Sequence, residues 1–238
     1  MTELSLIQDF TTTAFWIAVG QIILIDLVLS GDNAVVIALA CRNLPPELRR
    51  RGIFWGVLGA VILRVTLTLF AAYVLDQPWL KLVGGLLLLW IGVKLLLPDD
   101  EEQDIPGATR LGAAVRTIIV ADFVMSLDNV VAVAGASHGS VALLVFGLLV
   151  SIPLIMWSSQ LIMVAMERYP VVVIFGAALL GWVAGGMIAG DPGLLAHLPP
   201  VPDWLHYAAA AGGALAVVLV GRLIARGRGA PRSNGGAA

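Results

Sequence analysis

The sequence predicts an all-α polytopic membrane protein with seven transmembrane helices, arranged as two inverted three-helix repeats plus one extra helix. Three observations lead to this fold class. Hydrophobic residues make up 59% of the 238 residues and charged residues only 13%, unlike an ordinary soluble domain. Apolar stretches of about 20 residues, the length that crosses a bilayer, recur along the chain. A polar motif in the first stretch recurs in the fourth.

Seven apolar stretches are separated by connections rich in turn-forming or charged residues. We expect each to be a transmembrane helix, and they cover residues 15–40, 53–75, 79–97, 111–136, 141–165, 171–190 and 205–225. The first stretch exceeds the roughly 7–15 apolar residues of a signal peptide, and no Lys or Arg precedes it. We therefore expect it to be retained as a helix.

The basic residues indicate the orientation. When the spans alternate in direction, one side of the membrane receives Arg42, Arg49, Arg50, Arg51, Lys94, Arg110, Arg116, Arg168, Arg222, Arg226, Arg228 and Arg232. The other side receives Lys81, and Arg64 lies within a span. By the positive-inside rule the basic side is cytoplasmic. The sequence thus predicts a multi-pass protein of the cell inner membrane or plasma membrane, with its N-terminus outside and its C-terminus cytoplasmic.

The recurring motif is the octet "DLVLSGDN" at residues 26–33 and "DFVMSLDN" at residues 122–129. Four polar residues of the first octet have identical counterparts 96 positions later: Asp26, Ser30, Asp32 and Asn33 match Asp122, Ser126, Asp128 and Asn129. Farther along, the offset becomes 92, where Pro78, Gly84 and Trp90 match Pro170, Gly176 and Trp182. Since each copy holds three spans, the second must start from the opposite side. Such inverted repeats are typical of secondary transporters, although a duplication can also persist for packing alone.

The predicted organisation follows from this repeat. The first three-helix repeat covers residues 13–97, a cytoplasmic acidic linker covers 98–108, and the second, inverted repeat covers 109–190. The seventh helix covers residues 204–226, and residues 227–238 form a disordered cytoplasmic tail because they are rich in Gly and Arg.

Aspartates inside membrane spans are candidate functional residues, because each costs roughly 2.5–3.5 kcal/mol to insert at the bilayer centre. Carboxylate, amide, hydroxyl and carbonyl oxygens are the ligands of hard divalent cations. We therefore predict a midplane cation site formed by Asp26, Asp32, Asn33, Asp122, Asp128 and Asn129. Candidate supporting residues are Ser30, Ser126, Arg64 and Met125. The two octets and their flanks contain no histidine, the one histidine of the seven spans is His206 at the start of the last, and Cys41 lies at a helix end, which disfavours zinc or copper chemistry.

The geometry of the octets leaves alternatives open. On a straight helix Asp32 points about 120° away from Asp26, and the second octet repeats this relation. Either the additional aspartates serve a second face, or the helices break at Ser30–Gly31 and again near Ser126–Leu127. Glycine at position 31 makes the first break easy, whereas leucine at position 127 does not. Asp32 could also cap a second half-helix instead of binding the ion.

Arg64, Met125 and the pair Gly181 and Gly185 each have two interpretations. Arg64 should pair with an aspartate, either to stabilise the site until a cation displaces it or only to neutralise a carboxylate. Met125 is either a softer ligand or a packing residue. The two glycines suit close helix contact, within the chain or between protomers.

The octets with their flanks, "DLVLSGDNAVVIALA" and "ADFVMSLDNVVAVAGA", resemble the TerC family of integral membrane proteins, in particular its short YjbE-type members. The resemblance implies membership of the lysine-exporter-like transporter group, a fold of two three-span repeats, and an association with manganese export and, in name, with tellurium resistance. It also implies that the six predicted site residues match the acidic motif of the family. Leu127 stands where the first octet has Gly31, and this difference argues against the same helix break in both octets.

We expect a secondary transporter, not an enzyme, that exports a hard divalent cation by proton exchange, with Mn²⁺ first among the candidates. Nothing in the sequence resembles a nucleotide site, and a divalent cation leaving a negative cell works against about 4.6 kcal/mol per 100 mV. No permanently bound cofactor and no nucleic acid are expected. The expected partners are the metal-ion substrate, the lipid bilayer and, in a homo-oligomer, other copies of the chain. The alternatives are an exporter of an amino acid or other small solute, and a membrane scaffold that transports nothing.

Overall fold

A computed structural model describes residues 13–29, 31–70, 77–97, 107–136, 141–197, 202 and 204–228. Across these ranges the regular elements are nine helices, without any strand. In chain order the helices are α1 (Thr13–Leu29), α2 (Gly31–Cys41), α3 (Pro46–Leu69), α4 (Leu80–Leu96), α5 (Gly107–Ala136), α6 (Val141–Arg168), α7 (Pro170–Ala189), α8 (Pro192–Leu195) and α9 (Trp204–Arg228). The predicted all-α fold is confirmed for this part of the chain.

The helices coincide with the predicted apolar stretches. The first stretch is shared between α1 and α2, the next five correspond to α3 through α7, and the last lies within α9. By length and composition, four helices are able to cross a membrane: Pro46–Leu69, Val141–Arg168, Pro170–Ala189 and Trp204–Arg226. Residues 15–24 and helix α2 are shorter apolar segments. The predicted linker lies almost entirely, and the predicted tail for the most part, outside the described residues.

The helix limits have local causes. Prolines begin α3, α7 and α8, where the missing N–H costs nothing because the first turn has no intrahelical acceptor. Helix α4 begins after Trp79, whose φ of 69° is left-handed. Proline 153 lies inside α6 and removes one backbone donor there.

Apolar side chains cover the outside of the helices as well as the core. Trp157 of α6, Phe175 of α7 and Leu223 of α9 have exposed fractions of 64%, 68% and 66%. A soluble protein seldom exposes so many large apolar side chains in adjoining patches, whereas lipid-facing helices do. The outer surface is therefore that of an integral membrane protein.

The helices pack in a recurring pattern. Helices α1 and α2 pack against α6, helix α3 packs against α5, and α4 packs against α7. Helix α9 lies against α7 and α4. One continuous core joins buried residues of α2 through α7, among them Leu39, Val57, Ile118, Leu148 and Leu180. Its polar centre lies where the four helices α1, α3, α5 and α6 meet.

The close contact between α7 and α9 accounts for one predicted glycine pair. A Cβ atom at Gly181 would overlap the carbonyl oxygen of Gly213, and one at Gly185 would overlap that of Ala209. Two helix backbones approach this closely only where side chains are absent. The structure therefore supports the interpretation that Gly181 and Gly185 allow close helix contact within the chain.

Candidate cation site

Five buried polar residues meet where α1, α3, α5 and α6 come together. They are Asp26 of α1, Arg64 of α3, Asp122 and Ser126 of α5, and Ser151 of α6, and none is more than 4% exposed. The structure thus brings together the first aspartates of the two octets, which are 96 positions apart in the sequence.

Arg64 joins the two aspartates. Its Nη1 pairs with Asp26 Oδ1, and its Nη2 lies 2.6 Å from Asp122 Oδ1. Its Nε donates to Ser126 Oγ at 3.2 Å. The three nitrogens of one guanidinium therefore contact both octets, which fixes the orientation of the side chain more strictly than one ammonium group would.

Two serines complete the hydrogen bonding of the carboxylates. Ser126 Oγ lies 3.1 Å from Asp122 Oδ2, one helical turn away in α5, and can donate to it while accepting from Arg64. Ser151 Oγ contacts Asp26 Oδ2 and also lies 2.8 Å from the Leu148 carbonyl oxygen of its own helix, and the charged carboxylate is the stronger acceptor for its single proton. Both aspartates thus have a charged partner on one oxygen and a hydroxyl partner on the other. This arrangement lowers the cost of burying them.

The centre has an excess of negative charge. Asp32 of α2 is partly buried and interacts electrostatically with Arg64 and Asp122. When all groups are ionised, Asp26, Asp32 and Asp122 carry three negative charges against the single positive charge of Arg64. A buried centre with this imbalance favours the binding of a cation or of protons.

Asn33 adds an open polar group beside this centre. It is 5% exposed, and neither Nδ2 nor Oδ1 of its amide has a hydrogen-bond partner among the described residues. Asn33, Arg64 and Asp122 line a small cavity whose remaining walls are apolar: Ile37, Val57, Ala60, Val61 and Ile155. A buried amide without a partner costs about 1–3 kcal/mol. Such a group marks a place where a ligand or water can bind.

The other predicted site residues occupy different surroundings. The backbone N–H of Asn33 donates to Asp32 Oδ1 at 2.9 Å in the first turn of α2. A helix cap accepts from the N–H two or three residues further on, so this contact leaves the capping interpretation of Asp32 a prediction. Met125 lies in the apolar core, which favours its packing interpretation. Asn129 is partly buried in α5. Ser30 and the side chain of Asp128 lie outside the described residues.

Of the two alternatives left open for the second octet, the structure contradicts a helix break near Ser126–Leu127. Helix α5 runs without interruption from Gly107 to Ala136, and Leu127 is 2% exposed in its core-facing surface. Leucine is a strong helix former and gains apolar burial here, so nothing favours an opened backbone. The predicted break at Ser30–Gly31 involves Ser30 and stays a prediction.

The structure contains no ready-made resident metal centre among its described residues. No three acidic, histidine or cysteine side chains of that part of the chain converge on one point. Arg64 instead lies between the carboxylates of Asp26 and Asp122. A cation that used those carboxylates would have to replace the guanidinium.

Sequence reasoning missed Ser151 as a partner of Asp26. The available signal was weak, since Ser151 is one of several serines in α6, and Ser159 is equally buried but donates to the Ile155 carbonyl of its own helix at 2.7 Å. Only the approach of α1 to α6 distinguishes these two serines.

A third buried acid, Asp191, was also missed. It is fully buried and accepts from the backbone N–H groups of Trp79 and Leu82 at 3.1 Å each and of Leu194 at 2.9 Å. Burial would raise the pKa of this carboxyl, but the N–H donors, with that of Gly193, outweigh it and hold the pKa below its usual 3.8. Asp191 therefore caps both α4 and α8. The sequence signal was aspartate followed by proline, typical of a helix start.

Comparisons with known proteins agree with the membrane character of the chain. Residues 11–229 match a family model described as "Integral membrane protein TerC family". The chain is 47% identical to "Uncharacterized membrane protein YjbE" of Bacillus subtilis over 177 residues, covering 74% of this chain and 81% of that protein. It is 26% identical to "UPF0053 inner membrane protein YgdQ" of Escherichia coli over 184 residues, covering 69% of this chain and 77% of that protein. No solved structure matches the chain significantly.

Proposed function

The chain belongs to the integral membrane protein TerC family, and on that premise we propose that it is a secondary transporter exporting a hard divalent cation, Mn²⁺ first among the candidates. One observation carries the proposal. Asp26 and Asp122, equivalent residues of the two octets, meet in a buried centre that has more acids than bases. Beside it lies the side-chain amide of Asn33, which has no hydrogen-bond partner among the described residues. No enzymatic step is required of these residues.

Matched helix contacts support the inverted repeat on which the proposal depends. Ile22 and Ile118 are 96 positions apart, like the two octets. A Cβ at Gly147 of α6 would lie 2.5 Å from the Ile22 side chain, and one at Gly56 of α3 would lie 2.5 Å from the Ile118 side chain. Exchanged contacts of this kind are expected when a two-fold axis in the membrane plane relates two halves.

We accordingly propose that residues 13–97 and 109–190 form the two halves, with α9 as a seventh span, the N-terminus outside and the C-terminus cytoplasmic. The proposed site then lies near the bilayer midplane at the interface of the halves, the usual position of the substrate in such transporters. Alternating access would then occur by a rocking motion of one half against the other around the proposed site.

The ligands proposed for the cation are oxygens. Asp26 and Asp122 supply carboxylates, Asn33 supplies an amide oxygen, and Ser126 and Ser151 supply hydroxyls. This set suits Mn²⁺ and Mg²⁺ better than Zn²⁺ or Cu⁺, which prefer imidazole or sulfur. Arg64 has to leave at least one carboxylate for the cation to bind.

Proton exchange is the proposed energy source. Export of a divalent cation from a negative cell costs about 4.6 kcal/mol per 100 mV. When the cation leaves, each carboxylate regains neutrality by pairing with Arg64 or by taking a proton. Protons that enter on the released carboxylates would carry positive charge inward and offset the cost of export.

Cellular manganese content tests the proposal. Cells that lack other manganese exporters are grown under Mn²⁺ stress with the intact protein, Asp122→Asn or Asp191→Asn. Asp191→Asn is a matched control, because it makes the same change at a buried acid outside the site. We expect low manganese with the intact protein and the control, and high manganese with Asp122→Asn at equal amounts of folded protein. Equal manganese content in all three would contradict the proposal.

Proton coupling needs a separate measurement. Mn²⁺ flux is followed in proteoliposomes with the membrane potential clamped, with and without a pH gradient. We expect the gradient to drive Mn²⁺ against its own concentration gradient. Equal flux under both conditions would remove proton exchange from the mechanism while leaving manganese transport in place.

The scaffold alternative has one observation in its favour, because Arg64 satisfies both carboxylates and could serve only to hold α1, α3 and α5 together. Under that alternative, Asp122→Asn lowers the amount of folded protein and leaves cellular manganese unaffected by the protein. An exporter of amines would instead transport its solute with no response to Mn²⁺.

A further inference from the structure

We propose that Arg64 is a tethered competitor in the cation site, and that it makes the site select divalent over monovalent cations. The inference deepens the proposed function and rests on it. It concerns a residue that is not expected to bind the ion itself. Its effect follows from the contacts of the guanidinium and from the charge that an arriving ion brings.

The guanidinium uses the oxygens that a cation needs. It contacts Oδ1 of Asp26 and Oδ1 of Asp122, and its Nε contacts the hydroxyl of Ser126. Arginine does not lose its proton in proteins, so it cannot give way by becoming neutral. An ion that coordinates both carboxylates must therefore displace a charged and hydrogen-bonded group.

The charge of an ion determines whether it can displace the Arg64 guanidinium. A monovalent cation brings the same charge that the guanidinium removes, so the exchange gains no net charge and loses oriented hydrogen bonds. A divalent cation brings one further positive charge, so it neutralises both carboxylates, those of Asp26 and Asp122, from which the guanidinium has been displaced. The competition consequently excludes sodium and potassium, which are abundant, and admits a scarcer divalent ion.

The surroundings of Arg64 offer compensation for its displacement. Arg64 borders the small cavity that it shares with Asn33 and Asp122, and this cavity has room for about one water molecule. Asp32, whose carboxylate already interacts electrostatically with Arg64, remains to balance its charge. The open Oδ1 of Asn33 is an oxygen that Arg64 does not occupy, and it can contact an arriving cation before the carboxylates are released.

Mn²⁺ binding by Arg64→Gln tests the inference. Binding to the purified full chain is measured from the loss of the free Mn²⁺ paramagnetic resonance signal, at about pH 8 so that protons compete little for the carboxylates. Each protein is titrated in sodium chloride and in choline chloride at equal ionic strength. Arg49→Gln is the matched control, since Arg49 pairs with Glu167 at the helix ends, outside the site.

We expect Arg64→Gln to bind Mn²⁺ about tenfold or more tightly than the intact protein in choline, because a competing charged hydrogen-bonding group is gone. We expect sodium to weaken Mn²⁺ binding by this variant, and to leave the intact protein and Arg49→Gln unaffected. The inference would be overturned if Arg64→Gln bound Mn²⁺ no more tightly than the intact protein, or if its Mn²⁺ binding were as insensitive to sodium as that of the intact protein.

Arg64→Lys keeps the test decisive if the glutamine variant fails to fold. Lysine retains the charge, but one ammonium group cannot reproduce the fork that reaches both aspartates. We expect Arg64→Lys to bind Mn²⁺ more tightly than the intact protein does and to remain insensitive to sodium. If Arg64→Lys binds Mn²⁺ no more tightly than the intact protein, the inference is overturned. A failure of the intact protein to bind Mn²⁺ would instead remove the proposed function.

Discussion

Two buried carboxylate centres in this molecule are held in different ways. Asp191 accepts from three backbone N–H groups at the starts of α4 and α8, positions that would otherwise lack acceptors. Asp26 and Asp122 instead share one side-chain partner, Arg64, and lie near an amide that has no partner in the described structure.

The difference indicates which buried acid is adapted for exchange. Backbone donors cannot leave without unfolding a helix end, so Asp191 is bound to permanent partners. An arginine side chain can rotate away, and the charge at its centre is unbalanced, so the partners of Asp26 and Asp122 can be replaced. We infer a structural role for the first centre and a functional one for the second. Four predictions, in order of decreasing effect, test this distinction.

The largest effect is expected from Asp26→Asn combined with Asp122→Asn. The double variant leaves the buried Arg64 without either ionic partner, and breaking such a pair costs about 3–5 kcal/mol. Adding Arg64→Gln removes the stranded charge and should restore most of the stability. The measurement is thermal unfolding in detergent. A double variant that unfolds at the same temperature as the triple variant would show that Arg64 does not depend on these aspartates.

Asp191→Ala should have the next largest effect. Two helix starts lose their cap, at about 1 kcal/mol each, so we expect a loss of about 2 kcal/mol. Mn²⁺ transport per folded molecule should not change, in contrast to Asp122→Asn. Unfolding temperature and vesicle flux are measured on the same preparation. Loss of flux in protein that remains folded would erase the distinction between the two centres.

The contribution of Asp191 should also depend on pH in a defined direction. Its folded-state pKa lies below its usual 3.8, so the ionised carboxylate stabilises the fold above pH 3.8. This contribution is lost as the pH falls through the folded-state pKa. The difference in unfolding temperature between the intact protein and Asp191→Asn should be constant from about pH 5 to 8 and narrow below pH 3.8. If this difference in unfolding temperature already narrowed near neutral pH, the result would contradict the capping of the helices by Asp191.

The smallest effect separates two serines of α6. Ser151→Ala removes the hydroxyl that donates to Asp26 and should cost about 1 kcal/mol, with a measurable decrease in Mn²⁺ flux. Ser159→Ala removes a hydroxyl that donates to a carbonyl of its own helix and should leave flux unchanged. Equal flux in the two variants would exclude Ser151 from the working site.

Much of the fold was accessible from the sequence because the bilayer imposes a simple rule. Apolar stretches of sufficient length predicted helices α1 to α7 and α9, and the repeated octet predicted that Asp26 and Asp122 belong together. Both inferences need only hydrophobicity, length and an internal match, which are properties of the chain itself.

The remaining features depend on tertiary approach. The sequence left open whether the second octet breaks near Ser126–Leu127, and the structure excludes that alternative because a buried leucine favours a continuous helix. Sequence gave no means of distinguishing Ser151 from Ser159, since only the position of α1 separates them. The capping of α4 by Asp191 joins residues more than 100 positions apart, as in the bond from Leu82 N–H to Asp191 Oδ2. The pairing of Arg64 with both Asp26 and Asp122 likewise depends on how α1, α3 and α5 pack together.

The central claim is that the Asp26, Arg64 and Asp122 centre carries a divalent cation across the membrane. The most direct test is Mn²⁺ flux into proteoliposomes that contain the intact protein or the charge-neutral triple variant Asp26→Asn, Arg64→Gln and Asp122→Asn, compared with empty vesicles. Because the triple variant strands no buried charge, it should fold. We predict Mn²⁺ flux with the intact protein and none above empty vesicles with the folded triple variant. Equal flux through both proteins would contradict the account.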